Sequence, residues 1–322
     1  MQKQSSKIAV LDTGYDHYQY ESDLLAQAGY ELKVYQGSND DHDAKIRFAA
    51  DAAGLFVRWT QIDEVFITAC PNLKVIIRYG AGYENIDINA ASHKNISVAN
   101  VGGYGNHSVS DHALSLIYAN TRGLFRGNAN FQSLFGSAPF DDMFELHRKT
   151  LGIIGLGRIG GTLANKAVGL FKNVIASDPY IPDSRFNDLS VEKVNLEDLL
   201  QQSHVISIHC NLTPETTHLI NNKAFSKLGQ KPYIINTARG PVIDTKALLK
   251  ALENGQVRGA GLDVFDSELP AKIDQRILNH PRIIATGHYA WYSENSVDEL
   301  QKRAAHNMAS LLKGNKIEDC LN

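Results

Sequence analysis

Residues 151–160 read Leu151-Gly152-Ile153-Ile154-Gly155-Leu156-Gly157-Arg158-Ile159-Gly160. A short apolar run enters Gly-x-Gly-x-x-Gly, and a helix-length segment is predicted to begin near Gly161. Each glycine answers a need of a dinucleotide-binding turn. Gly155 permits the tight turn, Gly157 lets the backbone approach a pyrophosphate, and Gly160 lets helix pack closely on strand, while the helix N-terminus offers free N–H groups to the anion. Three spaced glycines alone are a weak signal, so the context decides. Here a second strand-like run over 174–177 follows and leads into Asp178, eighteen residues past Gly160. A carboxylate there can accept hydrogen bonds from an adenosine ribose; the alternative is a turn aspartate ahead of Pro179. Asp178 would also repel a 2′-phosphate, which favours NAD over NADP.

Outward from this turn, the same alternation continues in both directions. Short apolar runs at 205–209, 233–236, 259–264 and 283–286 are interleaved with helical segments at 196–202 and 246–254. Upstream, strand-like runs at 7–11, 31–35, 54–59, 73–78 and 96–99 alternate with amphipathic stretches at 21–28, 62–69 and 88–93. Strand and helix in regular alternation predict parallel sheets covered by helices, and therefore an α/β class with two such units. The pattern breaks at Gly102-Gly103-Tyr104-Gly105, a candidate crossing followed by a helix over 108–122 and a Phe- and Gly-containing stretch over 123–149. The last helix, about 293–312, comes too late to belong to either sheet alone and is expected to return to pack on the first unit.

Composition agrees with two globular units. The chain has 322 residues, against roughly 150 for a typical domain, with 43% apolar and 21% charged residues. A net charge of -3 provides no basic patch of the size nucleic-acid binding needs. No run is long and apolar enough to span a membrane, so neither nucleic acid nor membrane is an expected partner. Cys70, Cys210 and Cys320 are odd in number and widely spaced, which reads as reduced thiols in a cytoplasmic protein. No His, Cys or carboxylate grouping has zinc spacing, and no metal is expected.

Six ordered segments resemble the D-isomer-specific 2-hydroxyacid dehydrogenases. They are Tyr79-Gly80-Ala81-Gly82-Tyr83-Glu84-Asn85-Ile86-Asp87, the glycine turn with Asp178, His209-Cys210-Asn211-Leu212-Thr213-Pro214-Glu215-Thr216-Thr217, Ile235-Asn236-Thr237-Ala238-Arg239-Gly240, Gly261-Leu262-Asp263-Val264-Phe265-Asp266-Ser267-Glu268, and His288-Tyr289-Ala290-Trp291-Tyr292-Ser293-Glu294. The last is most similar to the C-terminal binding protein branch, which carries a tryptophan just after its catalytic histidine. The resemblance implies a flavodoxin-like substrate domain over 1–102 plus 290–322 and a Rossmann NAD-binding domain over 103–289, both doubly wound, with a homodimer formed through the latter. It further implies that Leu156, Arg158, Ile159, Pro179, Cys210, Asn211, Thr213, Thr237 and Ala238 line the cofactor beside the glycines. Asp263 would contact the nicotinamide amide, or else cap a turn at its strand end. Ala81 and Gly82 N–H groups would hold the substrate carboxylate, Tyr104 would line the pocket, and Trp291 would wall the substrate side chain or serve as interface packing.

Three residues carry the expected chemistry. Reduction of a 2-keto acid needs a grip on the carboxylate, a proton donor for the developing alkoxide, and a partner that keeps the donor charged. Arg239, His288 and Glu268 each follow a strand-like run, where open α/β sheets place ligands. A guanidinium grips a carboxylate bidentately, a histidine can give or take the proton, and an ionised glutamate beside it favours imidazolium. An arbitrary histidine among twelve is more often structural, so the inference rests on convergence of the three; the resemblance assigns the same positions. His209 reads as structural, and His107, His112 and His204 are left unassigned. Asn211, Leu269 and Gly287 stand where the family usually has proline, and Glu268 argues against formate as substrate. The expected activity is hydride transfer between NAD(H) and a D-2-hydroxy acid/2-keto acid pair; the alternative is an NAD(H)-responsive protein-binding module with little turnover.

Overall fold

The structure, a computed structural model, describes residues 6–131, 142–267 and 269–322. Glu268 and residues 132–141 of the expected connecting stretch lie outside the described residues. The chain divides into two compact units, one of residues 1–104 and 293–322, the other of residues 105–292.

The first unit is built on β1 (Lys7–Val10), β2 (Glu31–Val34), β3 (Gly54–Val57), β4 (Val75–Arg78) and β5 (Ser97–Ala99). They form a parallel sheet of order β2-β1-β3-β4-β5. All four residues of Gly54-Leu55-Phe56-Val57 are buried, as expected of a strand covered on both faces. Asp63 and Asp87 cap short helices by accepting the Phe66 N–H at 2.9 Å and the Ala90 N–H at 2.8 Å. The late helix is Glu294–Leu312; it buries Leu300, Ala304 and Met308 within this unit.

One helix of this unit, His42–Ala49, has no counterpart in the sequence expectations. Its buried residues are Lys45 and Ala49, with Ile46 and Phe48 only partly buried against the core, so a charged residue interrupts the inward face. The Lys45 ammonium reaches the Asp12 carboxylate at 2.7 Å and the Thr60 hydroxyl at 2.8 Å. Asp12 also accepts the N–H groups of Arg58, Trp59 and Thr60 at 2.7, 2.9 and 3.1 Å. Burial raises the Asp12 pKa, but these donors outweigh it and hold the carboxyl below its ordinary value of 3.8.

The second unit contains β6 (Thr150–Ile154), β7 (Asn173–Ser177), β8 (Glu192–Lys193), β9 (Val205–Ile208), β10 (Tyr233–Asn236), β11 (Gly259–Leu262) and β12 (Ile283–Ala285). Their order is β12-β11-β10-β9-β6-β7-β8, again parallel throughout. The two-residue, exposed β8 is too short and polar to be read from sequence. One core face gathers Ile206, Ile208, Ile234, Leu248 and Leu252; the other gathers Ile117, Leu151, Ile153, Leu163 and Ile235. Strand order reverses between β6 and β9, the switch point where a doubly wound sheet leaves a crevice at its carboxyl edge.

Candidate active site

The glycine turn lies at that switch point. Gly155 has φ of +89°, and a Cβ there would stand 2.7 Å from the Cys210 backbone N, because the loops after β6 and β9 touch. A Cβ on Gly160 would lie 2.0 Å from the Gly155 carbonyl oxygen. Gly157, the N-cap of helix Arg158–Ala167, has nothing within 4 Å of a Cβ. The helix starts three residues ahead of the expected Gly161, because Gly160 and Gly161 supply its closely packed first turn. Leu156 is buried, whereas Arg158 is exposed and Ile159 half-buried.

Asp178 follows β7 and reaches back to this turn. One carboxylate oxygen accepts the Leu156 N–H at 2.8 Å, and the other accepts the Tyr180 N–H at 2.9 Å across Pro179. After β9, Cys210 is half-buried, and burial pushes its thiol up to about 11, with the Asp178 charge adding to the shift. The Thr216 hydroxyl accepts the Thr213 N–H at 2.7 Å and donates to the Asn211 carbonyl at 2.6 Å, which orders that loop. His209 Nε2 meets the Ser207 hydroxyl at 2.7 Å, and burial lowers its pKa to about 4.

After β10, the Thr237 hydroxyl is buried with no hydrogen-bond partner among the described residues. The Asn236 side chain accepts the Ala238 N–H at 3.0 Å and donates to the Arg239 carbonyl at 2.9 Å. Arg239 is half-buried, and its Nη1 donates to the Ala238 carbonyl at 2.8 Å. The open space before Gly157, the helix N–H groups, the half-buried Asp178 and the orphaned Thr237 hydroxyl together fit a dinucleotide.

Asp263 and His288 follow β11 and β12. The Asp263 carboxylate accepts from the Thr286 hydroxyl at 2.6 Å and from the Tyr289 and Ala290 N–H groups at 3.2 and 2.9 Å. His288 is half-buried at φ of +54°, and its carbonyl accepts the Trp291 indole N–H at 3.1 Å. Thus Arg239 and His288 follow β10 and β12, the two strands that flank β11. His112 takes no assignment from sequence, and its Nε2 lies 3.0 Å from the Thr286 hydroxyl. No local spacing could reveal it, because the two are 174 residues apart.

Ala81, Gly82 and Tyr104 belong to the other unit, just beyond the ends of β4 and β5. Gly80 has φ of +125°, and the Ala81 carbonyl accepts the Asn100 side-chain N–H at 2.6 Å. Among the described residues, no group of three or more His, Cys, Asp or Glu could hold a metal ion, and no helix is long and apolar enough to cross a membrane.

Residues 114–290 match the family described as D-isomer specific 2-hydroxyacid dehydrogenase, NAD binding domain. The D-3-phosphoglycerate dehydrogenase of Mycobacterium bovis is 32% identical over 299 residues, 92% of this chain and 56% of that protein. A Staphylococcus aureus protein named as a 2-hydroxyacid dehydrogenase is 31% identical over 92% of this chain and 95% of its own length. The Aquifex aeolicus D-lactate dehydrogenase, solved with NAD and lactic acid, superposes with TM-score 0.84 at 27% identity, covering 96% of each chain. The chain spans little more than half the length of the D-3-phosphoglycerate dehydrogenases it matches.

Proposed function

The chain belongs to the D-isomer specific 2-hydroxyacid dehydrogenase family, and from that premise we propose that it interconverts a D-2-hydroxy acid and its 2-keto acid with NAD(H). The observation that carries this reading is the shared carboxyl edge: the glycine turn after β6, Arg239 after β10 and His288 after β12. When bound, the nicotinamide supplies or accepts the hydride.

The chain's own residues do the rest. The Gly155–Gly160 turn, through Leu156, Arg158 and Ile159, holds the pyrophosphate, and Asp178 with Pro179 binds the adenosine ribose. Cys210, Asn211, Thr213, Thr237 and Ala238 line the dinucleotide. Asp263 Oδ2, which accepts only the Ala290 N–H among the described residues, retains capacity for the nicotinamide amide. Arg239 grips the substrate carboxylate with help from the Ala81 and Gly82 N–H groups, while Tyr104 and Trp291 face the substrate side chain. Protonated His288 gives its proton to the carbonyl oxygen in reduction, and neutral His288 takes the hydroxyl proton in oxidation. Glu268 holds the imidazolium form.

The same reading takes the protein as a cytoplasmic homodimer. Three free thiols support the first point. Tyr118, Leu124 and Phe125, exposed on successive helices of the cofactor unit, support the second. The alternative of a protein-binding module is not favoured, since the relatives are named as dehydrogenases.

The test follows NADH oxidation by absorbance against 2-keto acids graded in side-chain size, with the intact protein and with His288→Ala. Turnover lost in the variant supports the reading, and the preferred keto acid identifies the substrate. NADH binding with no turnover on any acid would return the binding-module alternative.

A further inference from the structure

The turn that carries His288 is held by a network assembled from three strands and one helix. Asp263 is fully buried; its N–H donates to the Asn236 carbonyl at 2.9 Å, and its carbonyl accepts the His288 N–H at 2.8 Å. Its carboxylate takes Thr286, Tyr289 and Ala290. One residue thereby ties together the ends of β10, β11 and β12. Its hold on His288 matters because φ of +54° is a conformation that a non-glycine residue keeps only when its surroundings impose it.

His112, from helix Asn106–Thr121, completes the network. The Thr286 hydroxyl has one hydrogen, and it is used on Asp263 at 2.6 Å. The 3.0 Å contact with His112 therefore requires Nε2 to donate, which selects the Nε2–H tautomer of the neutral ring. That nitrogen lies 3.6 Å from Asp263 Oδ1, and Tyr289 packs edge-on against the ring at 5.3 Å. Burial lowers the His112 pKa below 6.5, against the opposing pull of Asp263, so the ring remains a neutral donor at neutral pH.

We infer that His112 is a positioning residue: through the Thr286 hydroxyl it orients Asp263, and Asp263 holds the left-handed turn that presents His288. The inference rests on the proposed function for its kinetic meaning and on geometry for the rest.

Three variants test it. His112→Leu keeps apolar bulk and removes the donor, His112→Gln returns an N–H near the Nε2 position, and Thr286→Val removes the intervening hydroxyl at constant shape. His112→Leu and Thr286→Val are each expected to lower kcat for 2-keto acid reduction about ten-fold, with KM for NADH little changed. His112→Gln recovers most of the loss, and the double variant His112→Leu/Thr286→Val loses no more than either single one. An unchanged kcat in His112→Leu, with only Tm lowered, overturns the inference. The His288 ring resonances, followed by NMR without substrate, provide a second readout. Displacement in His112→Leu and return in His112→Gln support it, and signals that do not move reject it. Should the intact protein reduce no 2-keto acid, the proposed activity falls while the resonances still decide the clamp. Should Thr286→Val fail to fold, the leucine and glutamine variants carry the test alone.

Discussion

The carboxylate of Asp178 accepts the backbone N–H of Leu156 at 2.8 Å, joining the end of β7 to the glycine turn after β6. One side chain therefore shapes the glycine turn and, in the proposed reading, also sets a negative charge where a 2′-phosphate would sit. Asp178→Ala is expected to weaken NADH binding about ten-fold, or about 1.4 kcal/mol, while NADPH binding improves relative to it. Fluorescence titration with both dinucleotides measures this; an unchanged NADH/NADPH ratio would remove Asp178 from cofactor selection.

The glycines of the turn separate into two kinds by what surrounds them. Gly155→Ala adds a methyl 2.7 Å from the Cys210 N at φ of +89°, so a loss of about 2 kcal/mol or more in stability is expected, seen as a lowered Tm. Gly157→Ala meets open space and should leave Tm within a degree or two of the original while NADH affinity falls. A parallel loss of Tm in both variants would contradict this division.

The buried Asp12–Lys45 pair gives the first unit an acid-sensitive bond. Its folded pKa lies below 3.8, so its stabilising contribution is complete above that value and is lost as pH falls through the lower, folded one. Asp12→Ala strands the Lys45 ammonium and is expected to cost about 3–5 kcal/mol in urea unfolding at neutral pH. Replacing both partners by apolar residues should recover much of that loss.

His209 acts in a different window. Burial lowers its pKa from 6.5 to about 4, so the unfolded chain takes up a proton that the folded one refuses. Stability should therefore decline as pH falls from about 6.5 toward 4, by up to about 3 kcal/mol. His209→Gln is expected to flatten that slope when Tm is followed against pH; a wild-type slope in the variant would point to other groups.

Some of this architecture was legible because its causes are local. Strand, glycine turn, helix, strand and Asp178 occupy one stretch of chain, and each residue type there answers a backbone need. Apolar runs such as Leu55-Phe56-Val57 announce strands buried on both faces. Helix His42–Ala49 was hidden because one of its two buried positions is Lys45, satisfied by an ion pair with Asp12. The turn around His288 was only half legible: motif order marks the histidine, but its left-handed backbone depends on Asp263, and His112 arrives from a helix 174 residues before Thr286. Long-range hydrogen bonds of this kind leave no periodicity in sequence.

Helix Glu294–Leu312 closes a unit that residues 1–104 begin, and the whole of the other unit is translated in between. During synthesis the intervening unit can therefore mature first, its seven strands being contiguous in the chain. Until Glu294–Leu312 is made, the surface meant for Leu300, Ala304 and Met308 stays wet. Completion of the first unit thus follows translation of the second, and a nascent chain halted at residue 292 would expose the hydrophobic face that Leu300, Ala304 and Met308 cover.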